Sequence, residues 1–224
     1  MIVVTAGTSD FRPIIETQNR RCLEFGYLHH VYDLGGLGMG TPCSVPESDL
    51  RGTIGDSLPP TTFKVRLLES AFAVALPREI VCWLDGDCIP MKPFLPAEHD
   101  WDVAVTLRPW DEVGASGLKV SDSLNAGVVW VRNNGMGRNF THQWNAKAQE
   151  MNNDQAALVE LVGPRLTREE WLKTYGNTIT AETGAAVKVL DAMKWNRWHV
   201  PPAEDTRILH FKRGIRGSAK AYCK

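Results

Sequence analysis

The sequence predicts an α/β fold: a single domain with a mainly parallel central sheet flanked by helices. Three observations predict it. The chain opens strand–helix–strand, a wholly apolar run ends abruptly in acids, and short β-runs alternate with helical segments to the end. At 224 residues the chain can bury one sizeable core and is short for two. A formal charge of −1 excludes a global field that would drive binding to nucleic acid or an anionic membrane.

Ile2 to Thr5 is the first β-run, followed by the polar turn Ala6-Gly7-Thr8-Ser9-Asp10. Pro13 marks a helix start, and Ile14, Ile15, Gln18, Cys22 and Phe25 share one helical face. Gly26 stops that helix. Leu28 to Leu34, which carries Asp33, is the second strand, and a βαβ order places ligands at the carboxyl ends of strands. Residues 35–60 read as a long mobile loop, able to serve as a lid. Its Gly35-Gly36-Leu37-Gly38-Met39-Gly40 is not a dinucleotide fingerprint, because Thr41-Pro42 follows where a helix should open. Phe63 to Leu76 has helical periodicity and stops before Pro77. Lys64 and Arg66 at its front oppose the helix macrodipole, which implies a compensating anion nearby.

The most informative stretch comes next. The apolar run Ile80 to Leu84 delivers Asp85 and Asp87, separated only by Gly86. Paired carboxylates at a strand end suit a hard divalent cation, Mg²⁺ or Mn²⁺. Gly86 permits a turn and a close backbone approach. Trp101 to Leu107 is a further strand, Arg108 to Ser123 a loop, and Ala126 to Arg132 a strand introduced by Asn125. Gly137 to Gln149 and Asp154 to Val162 are helices; Asp154 there is either an N-cap or a site residue. Thr167 with Glu170 has capping-box spacing. Val187 to Leu190 and Arg207 to Phe211 are late strands, the second ending in His210 and Lys212. Residues 212–224 form a basic tail.

The five cysteines are odd in number and lack paired metal-ligand spacing, which predicts no disulfide framework, no structural zinc and a reducing, cytoplasmic setting. The strand-like start predicts no signal peptide. No apolar run approaches the roughly 20 residues of a membrane span.

In this order, Arg66, Trp83-Leu84-Asp85-Gly86-Asp87, Asn125-Ala126-Gly127, Asp154-Gln155 and His210-Phe211 resemble the GT-A-fold nucleotide-sugar glycosyltransferases, especially the retaining, family-8-like branch. The resemblance runs from Ile2 to about Gly217. It implies that Asp85, Asp87 and His210 hold Mn²⁺ or Mg²⁺. It implies a donor pocket of Thr5, Ala6, Gly7, Thr8, Asp33, Arg66, Asp85, Gly86 and Asn125, with Lys212, Gly214 or Arg216 closing on the phosphates. Asp154 and Gln155 would be catalytic, beside the transferred sugar and the acceptor. The sequence departs from the pattern twice: Gly214 comes one residue late after His210, and the usual Lys-Pro-Trp ending is missing.

The expected activity is metal-dependent sugar transfer from a nucleoside diphosphate donor, with a UDP-sugar favoured, to a hydroxyl acceptor; the resemblance implies retention, and in an inverting enzyme Asp154 would be the general base. Trp195 and Trp198, in a stretch broken by polar residues, are candidates for stacking on the acceptor. A glycan, lipid-linked or protein acceptor is open, with modified DNA a lesser alternative. Two rival functions fit parts of the pattern. A haloacid-dehalogenase-like phosphotransferase would use Asp85 as nucleophile, and a non-catalytic protein would only bind the sugar nucleotide.

Overall fold

The computed structural model describes residues 1–42, 63–97, 100–108, 123–163, 166–198, 201–211 and 218–223. Strand β1 (Ile2–Thr8) leads through a single 3₁₀ turn into helix α1 (Arg12–Glu24) and then β2 (Leu28–Gly35). As the periodicity predicts, α1 buries Ile14, Ile15, Gln18 and Cys22. Gly26, at φ +75°, turns the chain in the left-handed region open to glycine. Thr41–Pro42 form a two-residue strand, β3, beside β2. This part of the expected loop therefore belongs to the sheet, and residues 43–60 of it lie outside the described residues.

Helix α2 (Phe63–Ala71) is shorter than its periodicity suggests. Beyond it Phe72, Ala73 and Val74 donate to carbonyls three residues back, so the last turn tightens instead of continuing. The apolar run is β4 (Ile80–Leu84), buried throughout, and β5 (Cys88–Pro90) follows the acids at once. Then come β6 (Val103–Leu107), β7 (Leu124–Arg132), α3 (Gly135–Met151), α4 (Asp154–Val162) and α5 (Arg168–Lys173). Thr167 and Glu170 make the predicted capping box. The chain then adds β8 (Thr178–Thr180), β9 (Ala186–Asp191), α6 (Ala192–Trp195) and β10 (Ile208–His210).

The main sheet has the order β3-β2-β1-β4-β7-β6-β9-β8. Only β7 and β8 run against the others, so the sheet is mainly parallel, as predicted. Alternation along β4 divides the core. Val81 and Trp83 pack with Leu68, Phe140, Trp144 and Leu158, whereas Ile80, Cys82 and Leu84 pack with Val3, Cys22, Phe94 and Trp130. Both faces are covered, which is why β4 reads as a continuous apolar run. A separate two-stranded sheet pairs β5 with β10 antiparallel, His210 opposite Cys88. No helix among the described residues is long and apolar enough to cross a membrane.

On β2, His29 is partly buried; its Nδ1 lies 3.3 Å from Asn19 Oδ1, and its Nε2 is sealed with no hydrogen-bond partner among the described residues. Burial, then the neighbouring His30, lowers its pKa from 6.5 to about 4. The unfolded chain therefore takes up this proton first. The stability His29 confers is complete above pH 6.5 and is lost as pH falls towards 4. Denaturant unfolding should show a loss of at most ~1.4 kcal/mol per pH unit from this group, and His29→Asn should flatten the profile in that window.

Candidate active site

The two acids lie on a turn at the end of β4. Asp85 N–H donates to the Gly127 carbonyl (2.9 Å), and Cys88 N–H closes the turn on the Asp85 carbonyl (3.0 Å). Gln18 braces it from α1, its Nε2 donating to the carbonyls of Asp85 and Cys88, each at 2.7 Å. Gly86 is required by crowding rather than by backbone angle: a Cβ there would lie 2.7 Å from the Ala6 carbonyl oxygen. Thr5, fully buried, donates its hydroxyl to the Leu84 carbonyl (2.6 Å) and so ties β1 to the strand that carries the acids.

The late strand reaches the same turn because β10 pairs with β5, and Phe211 N–H donates to the Asp87 carbonyl (2.7 Å). His210 Nε2 then lies 3.0 Å from Asp87 Oδ1 and 3.9 Å from Asp85 Oδ2. A one-way chain of donors orients this imidazole. Thr106 Oγ1 donates to the Asn125 carbonyl (3.3 Å), so it accepts from Asn196 Nδ2 (3.2 Å), which leaves Asn196 Oδ1 to accept from His210 Nδ1 (2.9 Å). With Nδ1–H committed to Asn196, Nε2 is the ring nitrogen that faces the carboxylate oxygen, and in the neutral ring it presents a lone pair. Two electron-pair donors at that distance need a proton or a metal ion beside them, so these residues fit a divalent cation. Cys88, buried across from His210, adds a sulfur to the same corner. Burial, then Asp87 and Asp85, pushes its thiol well above the usual range. Gly127 leaves room for all this: a Cβ would meet His210 Cε1 at 2.6 Å and Asp85 Oδ2 at 2.8 Å.

A cation from the protein completes the site. Lys64 Nζ lies 2.7 Å from Asp154 Oδ2 and 3.3 Å from Asp85 Oδ1, and donates to the Ala126 carbonyl (3.2 Å). Burial would lower the pKa of this ammonium, but the Asp154 and Asp85 carboxylates reverse that and hold it well above the ordinary value. Burial pushes the Asp154 carboxyl up, with Lys64 working against it. Trp83 Nε1 also donates to Asp85 Oδ1 (2.6 Å). The N-cap of α4 is Asn153, not Asp154: its side chain accepts from Ala156 N–H, and Asp154 is left to face Lys64. Arg66, two residues beyond Lys64, is exposed.

The other expected site residues are spread more widely. Gln155 Oε1 accepts from Arg108 Nη2 (2.7 Å). Asn125 is buried in β7 with its Oδ1 on Gly127 N–H, while its Nδ2 has no hydrogen-bond partner among the described residues. In β1, Gly7 packs against Ile15, and the Thr8 hydroxyl is buried without a hydrogen-bond partner among the described residues. Asp33 gathers the N–H groups of Gly35, Leu37 and Gly38 at 2.8, 3.1 and 2.8 Å. Slight desolvation opposes its ionisation, but those donors and Arg12 hold its carboxyl below the usual range. Trp195 is less exposed than its polar neighbours suggest, packing edge-on against Trp130 with ring centroids 5.8 Å apart. Trp198 is partly buried. Lys212, Gly214 and Arg216 lie outside the described residues.

No family model and no curated protein sequence matches the chain. Solved structures do. One is a glycosyltransferase involved in the glycosylation of the major capsid of PBCV-1, with 16% identity, a TM-score of 0.60, and coverage of 99% of this chain and 98% of that one. Another is an active-site mutant of LgtC, with 13% identity, a TM-score of 0.52, and coverage of 95% and 87%. The chain has the GT-A fold. On that fold the acid turn, the late histidine and the Lys64 ion pairs gather at the carboxyl ends of β1 and β4.

Removing Lys64 strands a buried carboxylate within this GT-A domain. Lys64→Met should destabilise it by about 3–5 kcal/mol, measured by denaturant unfolding. Adding Asp154→Asn should recover part of the loss, because the two effects share one interaction.

Proposed function

We propose that the protein is a metal-dependent glycosyltransferase that moves a hexose or pentose from a nucleoside diphosphate donor, a UDP-sugar first, to a hydroxyl acceptor with retention. The observation that carries this reading is the convergence of Asp85, Asp87 and the oriented His210 Nε2 on one corner. Those three residues would hold Mn²⁺ or Mg²⁺, which supplies Lewis-acid neutralisation of the charge that develops on a departing diphosphate.

The chain's own residues supply the rest. Lys64 adds a fixed positive charge in a water-poor environment, where it acts more strongly than at the surface. Asn125 offers a spare amide N–H, suited to a sugar hydroxyl or a phosphate oxygen. Asp154 is buried and ion-paired, which suits electrostatic support of an oxocarbenium-like sugar better than proton abstraction. That favours front-face attack, in which the leaving phosphate oxygen takes the acceptor's proton. Gln155, fixed by Arg108, would position the sugar. The Thr5 to Thr8 segment and Asp33 would line the nucleoside side, with Lys212, Gly214 or Arg216 closing over the phosphates. Trp195 and Trp198 remain the candidates for the acceptor side, and a glycan, a lipid-linked sugar or a protein would each fit them.

The test is a donor screen by release of nucleoside diphosphate, with Mn²⁺ and with chelator. Turnover should require the metal, and Asp87→Ala should lower it by about 100-fold or more with little change in melting temperature. Turnover that survives in Asp87→Ala would move the site elsewhere. Tight UDP binding without turnover on any donor would make the protein a binding module.

A further inference from the structure

We propose that the acid corner is also a site for a thiophilic cation, with Zn²⁺ or Co²⁺ held by Asp87, Cys88 and His210. Cys88 and His210 are direct cross-strand partners in the β5–β10 pair, so their side chains leave the same face. A carboxylate oxygen of Asp87, the sulfur of Cys88 and a ring nitrogen of His210 all lie within 4.8 Å of one another. Tetrahedral zinc, with bonds of ~2.0–2.3 Å, spaces such ligands by roughly 3.5 Å. Small side-chain rotations close the triplet on an ion of that kind, and the strands need not move.

All three residues are buried, and the Asn196–His210 hydrogen bond is the outer-shell contact that holds a ligating imidazole in place. The sulfur changes the preference of the corner. Oxygen and imidazole donors alone accept Mg²⁺ or Mn²⁺, whereas an added thiolate selects Zn²⁺ and Co²⁺, which also stand above Mn²⁺ in intrinsic affinity. Binding displaces the thiol proton to solvent.

The inference rests on the proposed function only in its consequence. The triplet shares Asp87 and His210 with the Asp85–Asp87–His210 set, so the corner holds one ion at a time. A zinc-type ion seated on Cys88 displaces the ion that transfer requires and inhibits it.

Cobalt reports the ligands directly. Protein carrying Cys43→Ser and Cys223→Ser would be titrated with Co²⁺ while its near-ultraviolet and visible absorption is recorded. A thiolate-to-cobalt charge-transfer band should appear, together with the intense visible bands of a tetrahedral ion, and Zn²⁺ should abolish both. Cys88→Ser and Cys88→Ala, with melting temperatures measured alongside, should remove the charge-transfer band and weaken Co²⁺ binding by about tenfold or more. Asp85→Asn should keep the band. A Co²⁺ spectrum without charge transfer, or a band that survives in a folded Cys88 variant, overturns the proposal. The spectrum does not depend on sugar transfer, and Mn²⁺-dependent transfer does not depend on the spectrum, so the two readings fail separately.

Discussion

The site depends on one short pairing, that of β10 with β5. Three residues on each side place an imidazole from a late strand opposite the residue that follows the two acids. Backbone hydrogen bonds set this register, and the Phe211–Asp87 contact extends it by one residue. A slip by one position would turn His210 to the opposite face and leave the acids without their nitrogen partner. The main sheet only supplies the rigid end from which the turn projects.

Around that pairing the protein buries charge and answers it locally. Lys64 sits among two carboxylates and a carbonyl. Such an arrangement adds little net stability, because each ion has first left water. What it provides is position. The Asp85 carboxylate is fixed by Trp83 and Lys64 on one oxygen and directs the other at His210.

Much of this was legible in the sequence. The buried strand ending in acids, the βαβ opening and the late His-Phe strand all read correctly, because each follows from a local pattern. The cations at the front of α2 signalled a nearby anion, and the structure supplies Asp85 and Asp154. Which cation mattered was harder to read: residues two apart on a helix point in different directions, so Lys64 faces inward while Arg66 is exposed. Gln18 and Asn196 were not legible. A lone amide on an apolar face is indistinguishable from a tolerated core residue until a distant carbonyl or imidazole is brought against it. Strand β5 escaped notice because three residues carry no usable periodicity, and its partner lies far along the chain.

The strand that bears the acids pairs Val81 with Ile2 and Leu84 with Val128, whereas the histidine arrives by a longer contact, one spanning more than half of the sequence. Local contacts form early and distant ones late. A chain emerging from the ribosome can bring β1, β4 and β7 together, with the Asp85 N–H on the Gly127 carbonyl, before the imidazole is synthesised. At that stage the acids stand without the histidine that the completed pairing sets beside them.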